Sequence, residues 1–234
     1  HIAKETIQRG KKVLILHCAP LNSGHQILMD EYNWSIYMPK YAPNTIDFDL
    51  IIIDEAQRMY PYQFDKYIRE VRTLNKKCIF SYDEKQYLRD NEKQYHTKER
   101  IEKELLCTPY KLTDKIRTNK EIAYFIRQLF NIKKNIPNID YINIELTYCK
   151  DCYSAKLLLQ ELLERGWKTP NYTPGTRSFF HYEAYLSNDT ESAHSVVGQE
   201  FNNVVVVIDE SFKYNSQGDL IADNTYYSQR QMLY

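Results

Sequence analysis

The segment Asp49-Leu50-Ile51-Ile52-Ile53-Asp54-Glu55-Ala56-Gln57 decides the expected fold. Its unbroken apolar run is typical of a strand that is covered on both faces, as in a parallel sheet. Two further compact apolar runs, Val13–His17 and Cys78–Tyr82, lie on either side of it in the sequence, with stretches of mixed polarity between them. Because strands that alternate with helical stretches indicate parallel pairing, the pattern predicts an α/β fold with a doubly wound sheet.

The composition indicates a globular protein and excludes several kinds of partner. Of the 234 residues, 43% are hydrophobic and 26% are charged, values that exclude a disordered or fibrous chain. The 31 Lys and Arg residues balance the 31 Asp and Glu residues, so any binding of nucleic acid must depend on local charge. No apolar run approaches the roughly twenty residues that cross a bilayer, so no membrane partner is expected.

The cysteines predict a reducing compartment, which we take to be the cytoplasm. They are odd in number and scattered, in a chain without an N-terminal apolar signal sequence. The five are Cys18, Cys78, Cys107, Cys149 and Cys152. The last two form a CxxC that could be a redox pair, but no second CxxC or nearby His pair completes a set of four zinc ligands. Two reduced thiols in a loop are the simpler interpretation.

A second α/β series is predicted from about residue 111 onward. Residues Glu121–Phe130 carry apolar side chains at helical spacing after a candidate cap at Thr118 or Asn119, and Ala155–Arg165 form a second helical pattern that ends at Gly166. Strands are predicted over Tyr141–Tyr148, Phe179–Leu186 and Val204–Asp209. The chain is therefore predicted to form two α/β halves, residues 1–110 and 111–234.

The central apolar run delivers two adjacent carboxylates, Asp54 and Glu55, at the end of its strand. In open α/β sheets, ligands bind outside the carboxyl ends of the strands. The first carboxylate can hold Mg²⁺, usually through water, and the second can orient or deprotonate an attacking water. This arrangement suits a nucleoside triphosphatase. A second run, Val204–Asp209 followed by Glu210, ends in the same way, and the neighbouring motifs favour the pair at 54–55.

Four segments resemble motifs of superfamily 1 helicases, in the same order along the chain. They are Asp54–Gln57 as the Walker B box (motif II), Phe80–Gln86 as motif III, Leu112–Asn119 as motif IV and His194–Phe201 as motif V. Tyr82 replaces the usual Gly of motif III, and Val197 stands where many relatives have Lys. The order and spacing are most similar to the ATPase domain of the Schlafen-group-3-like DNA/RNA helicase family, related to the UvrD-like helicases, over nearly the whole chain.

This resemblance implies roles for four catalytic residues. Asp54 would hold Mg²⁺, through water, and Glu55 would be the catalytic base. Gln86 would sense the γ-phosphate of ATP, and Arg117 would reach that phosphate as an arginine finger from the second domain.

The resemblance also implies four residues that bind nucleotide or couple it to nucleic acid. Gln57 would help to position the attacking water or the nucleotide. Gly198 and Glu200 would couple the nucleotide to nucleic acid from the second domain. His194 is included only through its place in motif V.

The fold implied by the resemblance is a pair of RecA-like P-loop NTPase domains, each a three-layer α/β/α sandwich with a mainly parallel sheet. No G-x-x-x-x-G-K-[ST] sequence occurs in the 234 residues. In the family, the P-loop would lie before His1 and the motif VI arginines would follow Tyr234. We therefore expect a first domain (1–110) without its P-loop strand and a second domain (111–234) truncated before motif VI. Alone, these residues should not hydrolyse ATP efficiently.

The function implied is that of an ATP-dependent DNA or RNA helicase or translocase, with ATP and Mg²⁺ as cofactors and single-stranded DNA or RNA as partner. A monomer is compatible with the sequence, which does not fix the oligomeric state. An AAA-like regulatory ATPase switch is a second interpretation, and a degenerate, non-catalytic module that binds nucleic acid or protein is a third. The Gly198–Phe201 segment and a second α/β half favour the helicase over the switch.

Overall fold

The computed structural model describes residues 1–83, 86–87, 90–105, 109–112, 119–174, 179–222 and 229–233. The chain divides into two compact units, His1–Pro109 and Tyr110–Tyr234.

The first unit is an α/β layer in which strands and helices alternate. Its elements are α1 (Ile2–Gln8), β1 (Val13–His17), α2 (Ser23–Tyr32), β2 (Ser35–Tyr37), β3 (Leu50–Asp54), α3 (Pro61–Thr73), β4 (Lys77–Phe80), α4 (Asp90–Lys93) and α5 (Thr97–Leu105). The strands form one sheet in the order β2-β1-β3-β4, and every pair is parallel. The predicted α/β class and the predicted strands at residues 13, 50 and 78 are confirmed, although β4 ends two residues earlier than expected.

Both faces of this sheet are covered, as the unbroken apolar runs predicted. One face packs against the amphipathic helix α3, whose buried residues recur every three or four positions. The side chains of that core include Leu14, Leu16, Ile51, Ile53, Phe64, Tyr67, Ile68 and Val71. The opposite face packs alternate residues of β1 and β3 against Ala3 and Ile7 of α1. Each fully buried aliphatic side chain of this kind contributes roughly 1.5–3 kcal/mol, so the sheet is a rigid platform for its carboxyl edge.

The second unit contains helices but, in its described part, no parallel sheet. Its elements are α6 (Lys120–Phe130), α7 (Cys152–Glu164), β5 (Phe212–Tyr214), β6 (Leu220–Ala222) and α8 (Gln229–Leu233). The predicted helices near 121 and 155 are confirmed, and Asn119 caps α6 by accepting a hydrogen bond from the Ile122 N–H. Strands β5 and β6 pair antiparallel as a two-stranded ribbon.

The three strands predicted in the second unit are wrong. Residues 141–148 pair with no strand of the described part of the chain, and Leu146 and Tyr148 are 80% and 91% exposed. Residues His181–Tyr185 form a 3-10 turn, because Tyr182 and Tyr185 are buried at a spacing of three rather than two. Within the described residues, the run from Val204 makes a single parallel bridge, to Lys168, and no ladder. An apolar pattern, alternating or unbroken, does not by itself create a strand, because a strand also needs a neighbour to pair with.

None of the helices within the described residues combines the length and apolar character needed to span a membrane. Among the described residues, no disulfide joins any of the four cysteines Cys18, Cys78, Cys149 and Cys152.

Candidate active site

Asp54 occupies the position that the sequence predicted, at the carboxyl end of a central strand. Strand β3 lies between β1 and β4, so its last residue has neighbours on both sides. The residue directly across on β1 is His17, which ends that strand in register with Asp54. The site is therefore at the edge of the parallel sheet where α/β proteins bind ligands.

His17 holds the carboxylate of Asp54. Its Nδ1 lies 3.1 Å from Asp54 Oδ2, and its side chain is 1% exposed, against 40% for Asp54. Burial favours the neutral acid, but hydrogen bonds from His17, Ser81 and the Glu55 N–H outweigh it and lower the pKa of Asp54. Asp54 is thus ionised at neutral pH, while part of its side chain remains open to solvent.

A second histidine packs against the first. The ring centroids of His17 and His25 are 4.4 Å apart. Nδ1 of His25 accepts a hydrogen bond from the Asn22 N–H in the capping box that starts α2. Burial, and then the neighbouring His17, lower the pKa of His25, so its imidazole stays neutral at physiological pH. The His17 Nε2 is buried, and no described residue forms a hydrogen bond with it.

Glu55 adopts a left-handed backbone conformation, with φ 56° and ψ 40°. This region is uncommon for a residue with a side chain and costs about 1–2 kcal/mol. The surrounding backbone fixes the turn: Cys18 N–H donates to the Asp54 carbonyl, and Ala56 N–H donates to the Ser81 carbonyl. Strain of this kind persists where neighbouring structure over-determines it, and it clusters at functional sites.

The side chain of Glu55 is engaged on one oxygen. Gln57 Nε2 donates to Glu55 Oε2 over 2.8 Å, and Arg58 Nε lies 3.1 Å from the same oxygen. Gln57 is 1% exposed, and its Oε1 accepts a hydrogen bond from the Asp83 N–H. The side chain of Gln57 thus joins Glu55 to the segment that follows β4.

Gln86 belongs to the same cluster. Its Nε2 donates to Asp83 Oδ2 over 2.9 Å, and its carbonyl oxygen accepts a hydrogen bond from Arg58 Nη2 over 3.2 Å. The structure therefore brings together Asp54, Glu55, Gln57 and Gln86 at the carboxyl ends of β3 and β4. Arg117 lies outside the described residues.

Two residues of this cluster, His17 and Arg58, were given no role from the sequence. His17 was visible only as the polar end of an apolar strand, and its partner Asp54 is 37 residues away. Arg58 stands three residues after Glu55, a spacing that brings side chains together in a helical turn. This spacing is the feature of the sequence that could have predicted the contact between Arg58 and Glu55.

The remaining predicted residues lie in a loop of the second unit. Gly198 has φ 77°, and a Cβ there would meet no atom within 4 Å, so backbone conformation rather than space requires glycine. Gln199 stabilises the turn by donating to the Ser195 carbonyl, and Glu200 is exposed. Nδ1 of His194 forms a hydrogen bond with Thr173 Oγ1.

A family model described as Schlafen group 3, DNA/RNA helicase domain, matches residues 17–169. The matched range begins at His17 and contains Asp54, Glu55 and Gln86, whereas the loop at 194–200 lies beyond it. No curated protein and no solved structure matches the chain.

Proposed function

The chain belongs to the Schlafen group 3, DNA/RNA helicase domain family, and from that premise we propose that it forms the core of an ATP-dependent helicase or translocase. A helicase-related, nucleic-acid-binding role follows from the family. The dependence on ATP, the RecA-like character of the two units and the preference for single strands are parts of the proposal. The observation that carries it is the pairing of an ionised, half-exposed Asp54 with a conformationally fixed Glu55 at the carboxyl edge of a parallel sheet.

Asp54 fits a magnesium ion held through water. Its carboxylate is ionised and partly open, and His17 fixes its orientation. Within the described residues, no group of three or more His, Cys, Asp and Glu side chains could hold a metal directly. This is in keeping with an ion that retains several waters and completes its shell with nucleotide phosphates. When bound, Mg²⁺ would neutralise charge on the transferring phosphate.

Glu55 is proposed as the base that orients and deprotonates the attacking water. Such a group contributes typically 10²–10⁴-fold to a rate. Gln57 and Gln86 are proposed to place the water and the γ-phosphate, since both amides lie in one hydrogen-bonded cluster with Glu55 and Asp83. Arg117 is proposed to neutralise charge that develops in the transition state.

The loop at 194–200 is proposed to couple nucleotide to single-stranded nucleic acid. Its positive-φ Gly198 and the Gln199–Ser195 hydrogen bond give it a defined turn. Exposed Glu200 and half-buried His194 are the side chains through which we expect it to act.

The proposal is tested by replacing Asp54 and Glu55 in the intact natural protein and measuring phosphate release with and without single-stranded DNA or RNA. D54N and E55Q should each lower stimulated turnover by about 100-fold or more, because each removes a charge used in the transition state. E210Q is the matched control, since Glu210 follows the other apolar run that ends in Asp-Glu. It should leave turnover within about two-fold.

Unchanged turnover in E55Q would refute the catalytic role. ATP turnover that is lost in E55Q but never responds to nucleic acid would favour the regulatory switch instead. Nucleic-acid binding without any turnover would favour the non-catalytic module.

A further inference from the structure

Two tyrosines form a stacked pair at the start of α3, just after the 3-10 turn Ala56–Arg58. Tyr60 is the residue before the helix and Tyr62 is its second residue, and their ring centroids lie 5.9 Å apart with 18° between the ring planes. The ring of Tyr95 lies 6.3 Å from that of Tyr60 and is tilted against it. Tyr60 is 39% exposed and Tyr62 is 66% exposed. Tyr60 therefore contacts two rings, whereas Tyr62 is largely open to solvent.

The exposed face of α3 continues from this tyrosine pair with positive charge. Lys66 and Arg69 are exposed, and they stand four and seven residues after Tyr62. These spacings share one face of a helix, at about 6 and 10 Å further along its axis. The opposite face of α3 is buried against the sheet. The tyrosine pair and the two cations therefore lie along one open surface.

The carboxylates of α3 are engaged by other groups. Asp65 forms an ion pair with Arg100 of α5. Glu70 accepts a hydrogen bond from Thr45 Oγ1 over 2.7 Å, and its other oxygen lies 3.9 Å from Lys66 Nζ. The helix has three cationic and two acidic side chains, so its own net charge is positive. This charge suits an anionic partner.

An exposed aromatic ring beside cations suits single-stranded nucleic acid in particular. Every base has a π-face, so stacking on an aromatic ring tolerates any sequence, while cations follow the phosphate backbone. The bases of a duplex are already stacked on one another and paired, which leaves fewer faces open to a tyrosine ring. A nucleic-acid partner for this chain also follows from its family.

We propose that this face of α3 binds single-stranded nucleic acid, with a base stacked on the tyrosine pair at Tyr62 and phosphates close to Lys66 and Arg69. The proposal deepens the proposed function and rests on its nucleic-acid-binding part. It does not depend on ATP hydrolysis.

The test measures the Kd of the intact natural protein, without nucleotide, for a fluorescein-labelled thymidine oligonucleotide by fluorescence anisotropy. Y62A should raise the Kd about 5- to 100-fold, because it removes the ring on which a base stacks. Y62F keeps the ring and should bind within about two-fold of the wild type. Y32A is the matched control, since Tyr32 at the end of α2 is 62% exposed, and it should bind as the wild type does.

The cations are tested by the salt dependence of the same binding. R69M should make the slope of log Kobs against log salt concentration shallower by about 0.7, the value for one phosphate contact to a single strand. Y62A removes no charge and should leave this slope unchanged.

Wild-type affinity in Y62A would overturn the proposal and favour a protein partner for this face. A loss in Y62A that is equally large with an oligonucleotide of the same length but without bases would mean that Tyr62 does not stack on a base. No binding of the thymidine oligonucleotide by the wild type would refute the nucleic-acid-binding role itself. The ATP turnover of E55Q reports separately on the proposed hydrolysis.

Discussion

Two apolar runs of this chain end in Ile-Asp-Glu, and they differ in pairing and in burial. The first, β3, is hydrogen-bonded to β1 and β4, and Ile53 is fully buried. The second begins at Val204, makes one bridge, and leaves Ile208 42% exposed. A similar sequence thus becomes a central strand in one unit and, among the described residues, a segment with a single bridge in the other.

The two aspartates differ in how far their side chains are exposed to solvent. Asp54 has a 40% exposed side chain, whereas that of Asp209 is 8% exposed. Asp209 accepts hydrogen bonds from the Tyr185 hydroxyl, from Ser211 and from His181. Burial, together with the bond to Asp209, raises the pKa of Tyr185, so this phenol remains a donor. A carboxylate that is buried with its partners stabilises its loop, whereas one that has partners and remains partly exposed can meet a ligand.

Truncating the isoleucine before each aspartate should give the largest difference in stability between the two runs. Ile53→Ala removes a fully buried side chain and should lower the free energy of unfolding by about 2–5 kcal/mol. Ile208→Ala removes a side chain that is already partly hydrated and should cost about 1 kcal/mol or less. Trp34 and Trp167 lie in different units. Urea unfolding followed by fluorescence in W167F and W34F backgrounds therefore reports each unit.

An equal cost for the two isoleucine substitutions would contradict the comparison, because it would require Ile208 to be packed as tightly as Ile53.

Replacing the histidine that faces each aspartate should have different effects on the Mg²⁺ dependence of ATP turnover. His17→Ala should raise the Mg²⁺ concentration needed for half-maximal ATP turnover by about 10–100-fold, the usual cost of losing a group that orients a metal ligand. H17N should recover part of this loss, because its amide nitrogen can replace Nδ1 as a donor to Asp54. His181→Ala should leave the Mg²⁺ dependence unchanged, since its partner is Asp209.

A Mg²⁺ requirement that is the same in H17A and in the wild type would show that Asp54 does not depend on His17.

The strands of the first unit could be predicted from the sequence because a strand that is buried on both faces has an unbroken apolar run. The strand of Val204–Asp209 was predicted on the same grounds and failed, since pairing depends on a neighbour that no local pattern reveals. The strand predicted over Phe179–Leu186 was wrong because the buried side chains there are three residues apart, as in a 3-10 turn. Among the site residues, Asp54 and Glu55 could be predicted because they directly follow the apolar run in the sequence. His17 and Arg58 could not, because their roles arise from side-chain contacts formed on folding.

Asp209 should make the stability of the second unit depend on pH. Burial opposes ionisation of Asp209, but hydrogen bonds from Ser211, Tyr185 and His181 lower its pKa in the folded state. The unfolded pKa is about 3.9. The stabilisation is therefore fully present above that value and is lost as the pH falls through the lower folded pKa. Asp209→Asn should cost about 1–3 kcal/mol at pH 7, because a charged acceptor of several hydrogen bonds is removed.

The measurement is urea unfolding of the second unit between about pH 2 and pH 7. The difference between wild type and D209N should shrink toward the acid end. A difference that is independent of pH would assign the loss to packing rather than to ionisation.

The smallest expected effect concerns the backbone at the two glutamates. Glu55→Gly and Glu55→Ala both remove the carboxylate from Arg58, so their difference isolates the left-handed conformation. E55G should be more stable to urea than E55A by about 1 kcal/mol, because glycine adopts positive φ without a Cβ penalty. Glu210 is not among the described residues with positive φ, so E210G should be less stable than E210A by a few tenths to about 1 kcal/mol. If E55A equals or exceeds E55G, the turn stores no strain, and the orientation of Glu55 must come from Gln57 and Arg58 alone.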